Sequence, residues 1–247
     1  MSYDINNKVV LVTGANRGIG KVILEFFIEH GAAKVYAAVR NIDSVKPLVD
    51  KYGQKVVPVT VDLGDDASIY EAAKIAKDVN IVINNAGVLK LGEVLNENII
   101  ESLEFHIRIN VYGLVTMAKA FAPILEMNGS GVFCQLNSVV SMKTFPDFSA
   151  YCASKAASYS ITQSLKELLG KQGIRVLSIH PGPIATDMGD SAGLTEIAEP
   201  PILVAEAILE ALKGDNFHVF PDSMAKQIGE AYQSFAENVV EANISEG

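Results

Sequence analysis

Short runs of apolar, β-branched residues alternate with longer amphipathic segments along almost the whole chain. The apolar runs predict seven β-strands, at 9–12, 34–39, 56–61, 80–84, 131–137, 175–179 and 216–220. The segments between them predict helices that include 20–29, 67–77, 99–125, 150–169 and 201–212. Near-continuous apolar strands that alternate with helices are typical of a parallel sheet covered on both faces. The pattern therefore predicts an α/β protein with a doubly wound parallel sheet of about seven strands.

No internal repeat, low-complexity tract or Ser/Pro-rich linker divides the sequence, so residues 1–247 are predicted to form a single domain.

One segment interrupts the alternation of strands and helices. Residues 181–200 contain Pro, Gly and acidic side chains directly after a predicted strand. Such a segment lies over the carboxyl edge of the sheet, where open α/β folds bind ligands. We expect a mobile substrate lid at about 187–200, with an inert loop as the alternative.

Composition narrows the class of partner. Of the 247 residues, 49% are hydrophobic and 20% are charged, which allows a large buried core. The net charge of −9 argues against a nucleic-acid partner, because proteins that bind a phosphate backbone usually present a basic face.

Neither the cysteines nor the histidines form a metal-ligand pattern. Cys134 and Cys152 stand alone, and the four histidines are scattered, so each histidine is expected to be structural or at the surface. The first residues lack an apolar signal segment, and no run approaches the roughly 18 apolar residues of a membrane span. We therefore expect no metal, no membrane association and a cytoplasmic location.

The segment TGANRGIG, residues 13–20, follows the first predicted strand and opens the first predicted helix. Glycines in such a turn let the backbone approach a pyrophosphate at the helix N-terminus, where free N–H groups and the helix dipole favour anions. The alternative is a tight turn with no ligand. We assign dinucleotide binding to six residues of this turn: Gly14, Asn16, Arg17, Gly18, Ile19 and Gly20.

The end of the second predicted strand indicates which dinucleotide fits. NAD sites commonly carry an acidic side chain there, which binds the ribose hydroxyls. This chain has Arg40, with no carboxylate before Asp43, and Arg17 adds positive charge from the glycine turn. Two arginines without an acid favour the 2′-phosphate of NADP(H), which arginine can bind in a bidentate way. The alternative is that both arginines are solvated surface charges.

Candidate acid/base chemistry lies in the run SAYCASKAAS, which lacks Gly and Pro and predicts a helix. Tyr151 and Lys155 are four residues apart and would share one face of that helix. Because a neighbouring ammonium favours the phenolate, we expect Lys155 to lower the pKa of Tyr151. On this spacing alone, the alternative is a half-buried tyrosine beside a solvated lysine.

The same motifs occur together in one order along the chain. The glycine motif is followed by Asp62-Leu63, NNAG at 84–87, Asn110, Ser138, Tyr151 with Lys155, and HPGPIAT at 180–186. With this set, the chain resembles the short-chain dehydrogenase/reductase family over essentially its whole length, in the compact, carbonyl-reductase-like branch. The resemblance implies a Rossmann fold in which one domain binds the dinucleotide and carries the catalytic residues.

The resemblance also implies a role for each matched residue. The catalytic tetrad would be Asn110, Ser138, Tyr151 and Lys155. Tyr151 would transfer the proton, Lys155 would bind the nicotinamide ribose, and Ser138 would hold the carbonyl oxygen. Asn110 would distort its helix and hold a water that relays protons. Besides the glycine turn and Arg40, the cofactor contacts would be Asp62, Leu63, Asn85, Ala86, Gly87, Tyr151, Lys155, Pro181, Gly182, Ile184 and Thr186.

These assignments predict an NADPH-dependent oxidoreductase that reduces a ketone or aldehyde to an alcohol. Alternatives are an NAD-linked alcohol or hydroxysteroid-type dehydrogenase and a non-catalytic dinucleotide-sensing protein. An epimerase or dehydratase of the family's extended branch is disfavoured, because those enzymes carry a larger C-terminal substrate domain.

The expected partners are a substrate and further copies of the chain. Apolar residues near the expected site favour a small apolar carbonyl or alcohol substrate, although each could instead belong to the core: Val88, Leu89, Val140, Phe145, Phe148, Met188 and Leu194. The resemblance implies a homodimer or homotetramer built through the long helices of Asn110 and Tyr151. A monomer is the alternative.

Overall fold

A parallel sheet forms the centre of the molecule. The computed structural model describes residues 3–129 and 131–242. Within these residues, the strands are β1 (Val9–Thr13), β2 (Lys34–Val39), β3 (Val56–Thr60), β4 (Ile81–Asn84), β5 (Val132–Leu136), β6 (Arg175–Ile179) and β7 (His218–Val219). Their order is β3-β2-β1-β4-β5-β6-β7, and every neighbouring pair is parallel. The predicted doubly wound sheet of about seven strands is confirmed.

Helices cover both faces of the sheet. They are α1 (Gly18–Glu29), α2 (Lys46–Tyr52), α3 (Asp66–Ile75), α4 (Ile99–Ile107), α5 (Gly113–Met127), α6 (Ser149–Gly170), α7 (Asp187–Ser191), α8 (Ile202–Lys213) and α9 (Ser223–Phe235). Val10 of β1 belongs to one apolar cluster with Leu24 of α1 and Ile208 of α8. Its neighbour Leu11 belongs to a second cluster with Met117 of α5, because successive side chains of a strand point to opposite faces. Among the described helices, none has the length and apolar character needed to cross a bilayer.

The strand order reverses at β1, which pairs with β2 on one side and with β4 on the other. The loops that follow β1 and β4 therefore diverge at the carboxyl edge and leave a crevice between them. The glycine turn follows β1, and the NNAG segment begins at the end of β4. Both predicted binding segments consequently lie at the point where doubly wound folds bind their ligands.

The helices differ from the sequence prediction more than the strands do. Strands β2 and β6 match their predicted bounds at both ends. The predicted helix 99–125 consists of α4, a π-helical turn (Arg108–Tyr112) and α5. The sequence pattern does not predict α2, α7 or α9. After β7 the chain continues through α9 and a second π-helical turn (Ala236–Val240).

The segment after β6 has structure of its own. It contains α7 and a short 3-10 turn (Thr195–Ile197). Its two ends are joined, since the Ala185 N–H donates to the Glu199 carbonyl at 2.8 Å and the Glu199 N–H donates to the Pro183 carbonyl at 3.0 Å. The expected lid at 187–200 is thus an excursion that leaves and returns at one place, and its mobility stays a prediction.

Candidate active site

The glycine turn leads from β1 into α1 at the carboxyl edge of the sheet. Gly14 and Gly18 have φ angles of +67° and +52°, in the left-handed region that glycine adopts most readily. A side chain at Gly20 would clash with the Gly14 carbonyl oxygen and the Asn85 amide, so only glycine allows this close approach. Within the described residues, Arg17 is the N-cap of α1 and makes no side-chain capping hydrogen bond. This turn fits the pyrophosphate of a dinucleotide.

Thr13, the last residue of β1, ties the glycine turn to the segment after β4. Its Oγ1 accepts from the N–H groups of Asn85 and Ala86, both at 2.9 Å. The Asn85 Nδ2 donates to the Thr13 carbonyl, also at 2.9 Å. Asn85 and Ala86 therefore shape the wall of the crevice, while Asn16 and Ile19 lie partly exposed along its rim.

Arg40 and Asp62 follow the adjacent strands β2 and β3, so they lie at the same end of the crevice. Arg40 is exposed. The Asp62 carboxylate accepts from the Gly64 N–H at 2.8 Å, and the next residue, Leu63, is buried. These contacts fix the turn and leave Asp62 partly open to solvent.

Arg17 has a partner that its position in the sequence does not indicate. Its Nη1 donates to Asp187 Oδ2 at 2.9 Å, which joins the glycine turn to the first residue of α7. Both side chains are largely exposed, at 63% and 71%. Exposed ion pairs contribute only about 0–1 kcal/mol, so a more highly charged anion can compete for Arg17.

Tyr151 and Lys155 lie near the start of α6. The Lys155 Nζ is 5.8 Å from the centre of the Tyr151 ring, so the two side chains meet on one face of the helix, as their spacing predicts. Lys155 is buried, and its Nζ donates to the Leu136 carbonyl at 2.7 Å. Tyr151 is partly exposed. The lysine is therefore an interior group and not the solvated one of the alternative interpretation.

The expected lowering of the Tyr151 pKa by Lys155 is not found. Burial raises the pKa of Tyr151, and a hydrogen bond with the Ser138 side chain opposes that rise in part. Burial also lowers the pKa of Lys155 to about 8. Both side chains thus favour their neutral forms more than they would in water, because the charged forms lose hydration.

Ser138 follows β5 and connects it to the segment after β6. Its Oγ donates to the Pro181 carbonyl at 3.1 Å and accepts from the Val140 N–H at 3.3 Å. The Val139 N–H also donates to the Pro181 carbonyl, at 3.0 Å. Because that carbonyl has a second donor, the Ser138 hydroxyl can turn toward a ligand without leaving the carbonyl unpaired.

Asn110 lies in the π-helical turn between α4 and α5, and this confirms the expected local distortion of its helix. Its Oδ1 accepts from the Val88 N–H at 3.0 Å, and its Nδ2 donates to the Val88 carbonyl at 3.1 Å and to Ser154 Oγ at 2.9 Å. The side chain thereby fastens the segment after β4 to α6. A water held by Asn110 stays a prediction.

Gly87 lies between two members of the predicted tetrad. A Cβ at this position would be 3.1 Å from Asn110 Oδ1 and 3.8 Å from Lys155 Nζ. Glycine therefore lets the segment after β4 pass close to both side chains. The structure brings Tyr151 together with Lys155, and it places Asn110 and Lys155 close to this glycine.

The segment after β6 is fixed by contacts within the chain. The Gly182 N–H donates to Asp222 Oδ2 at 2.7 Å. Thr186 caps α7, since its Oγ1 accepts from the Gly189 N–H and donates to the Ile184 carbonyl, both at 3.2 Å. These residues set the shape of the loop, and the contacts of Ile184 and Thr186 with a carboxamide stay predictions.

Sequence reasoning does not find three residues that support the site. Thr13, Gln135 and Asp222 are buried polar residues that hold neighbouring segments together. Gln135 Nε2 donates to the Leu136 carbonyl at 3.1 Å, the same oxygen that Lys155 contacts. A polar residue at or near the end of an apolar strand could have indicated Thr13 and Gln135, and Asp222 has no such signal.

The apolar residues expected near the substrate lie outside the buried core. Val88, Leu89, Val140, Phe148 and Leu194 are partly exposed, and Phe145 and Met188 are more exposed still, at 36% and 37%. The interpretation of these seven residues as ordinary core is therefore wrong.

Comparisons with known proteins identify the family of this chain. The family model described as short chain dehydrogenase matches residues 8–196. Oxidoreductase UcpA from Salmonella typhimurium is 33% identical over 216 residues, which cover 84% of this chain and 81% of that protein.

Solved structures are similar to this chain in fold as well as in sequence. A short chain dehydrogenase from Burkholderia cenocepacia in complex with NADP is 32% identical, with a TM-score of 0.86 over 97% of this chain and 100% of that one. A 7α-hydroxysteroid dehydrogenase complexed with NADH and 7-oxo glycochenodeoxycholic acid is 26% identical, with a TM-score of 0.78 over 85% of this chain and 88% of that one.

The fold and the site define a dinucleotide-dependent oxidoreductase with a Rossmann-type sheet. The chain belongs to the short-chain dehydrogenase/reductase family. As an oxidoreductase of this family, it binds a nicotinamide dinucleotide.

Proposed function

We propose that the protein reduces a ketone or aldehyde to an alcohol, with NADPH as its cofactor. The observation that carries the proposal is the position of Tyr151 beside the buried Lys155, whose Nζ is 5.8 Å from the centre of the tyrosine ring. Tyr151 is partly exposed, so a substrate can reach this group of side chains from the crevice. When bound, the dinucleotide supplies the hydride, and the residues of the chain supply the proton and the orientation.

Tyr151 is the proton donor of this proposal. The phenol is protonated at neutral pH, because tyrosine ordinarily titrates near pH 10 and burial raises the pKa of Tyr151 further. During reduction the substrate carbonyl oxygen gains negative charge, and the Tyr151 O–H transfers its proton to that oxygen. The Ser138 O–H donates a hydrogen bond to the same atom and stabilises the developing charge.

Lys155 stabilises the phenolate that remains after proton transfer. Its pKa of about 8 leaves most of the ammonium groups charged at neutral pH. This charge lies 5.8 Å from the centre of the Tyr151 ring, within a buried environment where electrostatic attraction is stronger than in water. The proposed second partner of Lys155 is the nicotinamide ribose of a bound dinucleotide.

A preference for NADP(H) over NAD(H) belongs to the same proposal. Arg40 is exposed at the end of β2, and Arg17 is held only by a surface ion pair, so both can reach a 2′-phosphate. The similar protein from Burkholderia cenocepacia was solved with NADP. An NAD-linked alcohol or hydroxysteroid-type dehydrogenase is the second candidate, favoured by the likeness to the hydroxysteroid dehydrogenase that was solved with NADH.

The proposed substrate is a small or medium apolar carbonyl compound. Val140 is partly exposed within two residues of Ser138, and Phe145 and Met188 expose 36% and 37% of their surface. Burying such side chains against a ligand is worth roughly 25 cal/mol per Å² of apolar surface, which favours an apolar substrate over a polar one.

Pairing of two or more copies through α5 and α6 is also proposed. These helices border a groove whose lining includes Ala118, Ala122, Ile161, Leu165 and Leu168. Small and apolar residues on both helices suit close packing against the same surface of a second copy.

The test is a spectrophotometric assay of purified protein with NADPH and a panel of aliphatic and aromatic ketones and aldehydes. We expect loss of the NADPH absorbance with at least one apolar carbonyl, at a higher kcat/KM for NADPH than for NADH. Faster turnover with NADH would favour the second candidate. Tight NADPH binding without turnover of any carbonyl would indicate a dinucleotide-sensing protein.

A further inference from the structure

His180 is a buried histidine at the end of β6, directly before Pro181. Its Nδ1 lies 3.0 Å from Ser141 Oγ and 3.2 Å from the Ser138 carbonyl oxygen. Its Nε2 lies 2.7 Å from Ser178 Oγ. Both ring nitrogens are therefore engaged, and Nδ1 faces the turn that carries Ser138.

The hydrogen bonds fix one tautomer of this ring. Ser141 Oγ donates its single hydrogen to the Ser138 carbonyl at 2.5 Å, so the hydrogen between Ser141 and His180 must belong to Nδ1. Nε2 then accepts from the Ser178 hydroxyl, whose oxygen accepts in turn from Asn137 Nδ2 at 2.9 Å. Each group in this chain therefore donates to the next one, from Asn137 through Ser178 and His180 to the turn that contains Ser138.

The surroundings hold the ring neutral and in place. Burial, with smaller contributions from His218 and Lys155, lowers the pKa of His180 to about 3. The Tyr159 ring meets it edge-on at 4.8 Å, and the Phe220 ring stacks on it at 5.4 Å. Because the ring cannot readily rotate or become charged, Nδ1 remains a fixed donor toward the Ser138 turn.

We infer that His180 is a positioning residue for Ser138: its Nδ1–H fixes the turn at 138–141 and with it the position of the Ser138 hydroxyl. The same turn is bound to the His180 segment on its other side, where the Pro181 carbonyl accepts from Ser138 Oγ and the Val139 N–H. Without the Nδ1 contact, the turn would be held to this segment only through the Pro181 carbonyl. This inference rests on the proposed function, in which Ser138 holds the substrate carbonyl oxygen.

Three substitutions separate the Nδ1 contact from the packing of the ring. His180→Asn places an amide near the position of Nδ1, and His180→Gln places one near the position of Nε2. His180→Leu keeps an apolar side chain of similar size and removes both contacts. Ser141→Ala is a milder variant that keeps His180, removes the nearer of the two acceptors of its Nδ1–H and removes the bond from Ser141 Oγ to the Ser138 carbonyl. It decides the question if His180→Leu does not fold.

We expect His180→Asn to keep kcat within about threefold of the wild type, and the Gln, Leu and Ser141→Ala variants to lose about tenfold or more. The dissociation constant of NADPH, measured by nicotinamide fluorescence, should change less than kcat in every variant, because the Nδ1 contact is made with the turn at 138–141 and not with the residues assigned to the cofactor. The pH profile of alcohol oxidation should move to higher pH in the impaired variants, since the Ser138 hydrogen bond lowers the Tyr151 pKa.

Hydrogen exchange gives a readout that needs no turnover. Amides in a peptide covering residues 138–142 should exchange faster in the impaired variants than in the wild type and His180→Asn. Equal kcat, pH profile and exchange in a folded His180→Leu variant would overturn the inference, and so would an Asn variant as impaired as the Leu one. Failure of the proposed function looks different, because the wild type itself would then reduce no carbonyl.

Discussion

Lys155 illustrates how strongly a single buried charge can affect this protein. Its ammonium is removed from water and donates to the Leu136 carbonyl, and its pKa is about 8, against an ordinary value of 10.5. Between these two values the unfolded chain binds more protons than the folded one, so the free energy of unfolding should rise with pH. The full effect is at most about 3 kcal/mol.

The corresponding experiment compares urea unfolding of the wild type and Lys155→Met from pH 7 to 10.5. The stability of the wild type relative to the variant should increase as pH rises through 8, because the cost of a buried charge disappears. Lys171→Met, at an exposed position near the end of α6, is the control and should show no such trend. Parallel curves for Lys155→Met and the wild type would contradict the buried, charged state at neutral pH.

Arg40 gives a second prediction at the scale of one residue. Arg40→Asp should weaken NADPH binding by about 100-fold and leave NADH binding within a few-fold, because a carboxylate repels the 2′-phosphate. The measurement is fluorescence titration with each dinucleotide. Lys46→Asp, at an exposed position in the same connection, serves as a control for net charge. Equal losses for both cofactors would remove the basis for the NADP(H) preference.

The residues also mark the limit of what the sequence predicts. The spacing of Tyr151 and Lys155 predicts their shared face, but it contains nothing about burial, and burial dominates the pKa of both. Likewise, Arg17 can be assigned to the glycine turn from its motif. Its partner Asp187 lies 170 positions away and depends on how α7 returns to the crevice.

The π-helical turn around Asn110 is the element on which the geometry of the crevice depends most. Asn110→Ala would remove the contacts with Val88 and Ser154, and each buried hydrogen bond contributes about 1 kcal/mol. We expect kcat to fall about tenfold or more, together with a loss of stability, because the segment containing Gly87 is no longer fastened beside Lys155. Steady-state kinetics and thermal unfolding measure the two effects.

Asn128→Ala is a matched control for that change. Asn128 follows α5 and donates to the Lys77 and Val79 carbonyls at 2.8 and 2.9 Å, at the amino edge of the sheet, opposite the edge that carries the tetrad. Its loss should cost stability and leave kcat unchanged. If both variants lost kcat in proportion to stability, Asn110 would have no specific part in shaping the site.

Elements with a strong hydrophobic signal could be predicted, and those without it could not. β2 and β6 are apolar runs with clear ends, and their bounds agree with the prediction. The apolar pattern of 99–125 is continuous, so it cannot reveal the change in backbone hydrogen bonding at Arg108–Tyr112. α9 has the amphipathic pattern of a helix but many polar residues and only Ala225 and Gly229 buried, and a prediction based on apolar runs misses it.

At the scale of the whole molecule, the exposed face of α5 and α6 leads to a prediction about assembly. Leu168 exposes 59% of its surface at this face. Leu168→Glu should shift the protein toward a monomer, because a carboxylate at an apolar interface loses its hydration without gaining a partner. Sedimentation velocity provides the measurement. Ile75→Glu, which alters an equally exposed residue at the end of α3, should leave the mass unchanged.

Two results would contradict that assembly. One is a wild-type protein that sediments as a monomer at all concentrations, and the other is an oligomer that Leu168→Glu does not weaken. The parallel sheet and the carboxyl-edge crevice depend on neither outcome, since they follow from strand order within one chain.

Proton donation by Tyr151 is the claim on which the proposed reduction depends, and the kinetics of Tyr151→Phe test it most directly. The variant should lose about 1,000-fold in kcat and bind NADPH within a few-fold of the wild type, because only one hydroxyl is removed while the glycine turn and Lys155 remain. Tyr70→Phe, at an exposed position on α3, should retain full activity. A Tyr151→Phe enzyme that reduces the substrate at the wild-type rate would contradict the account.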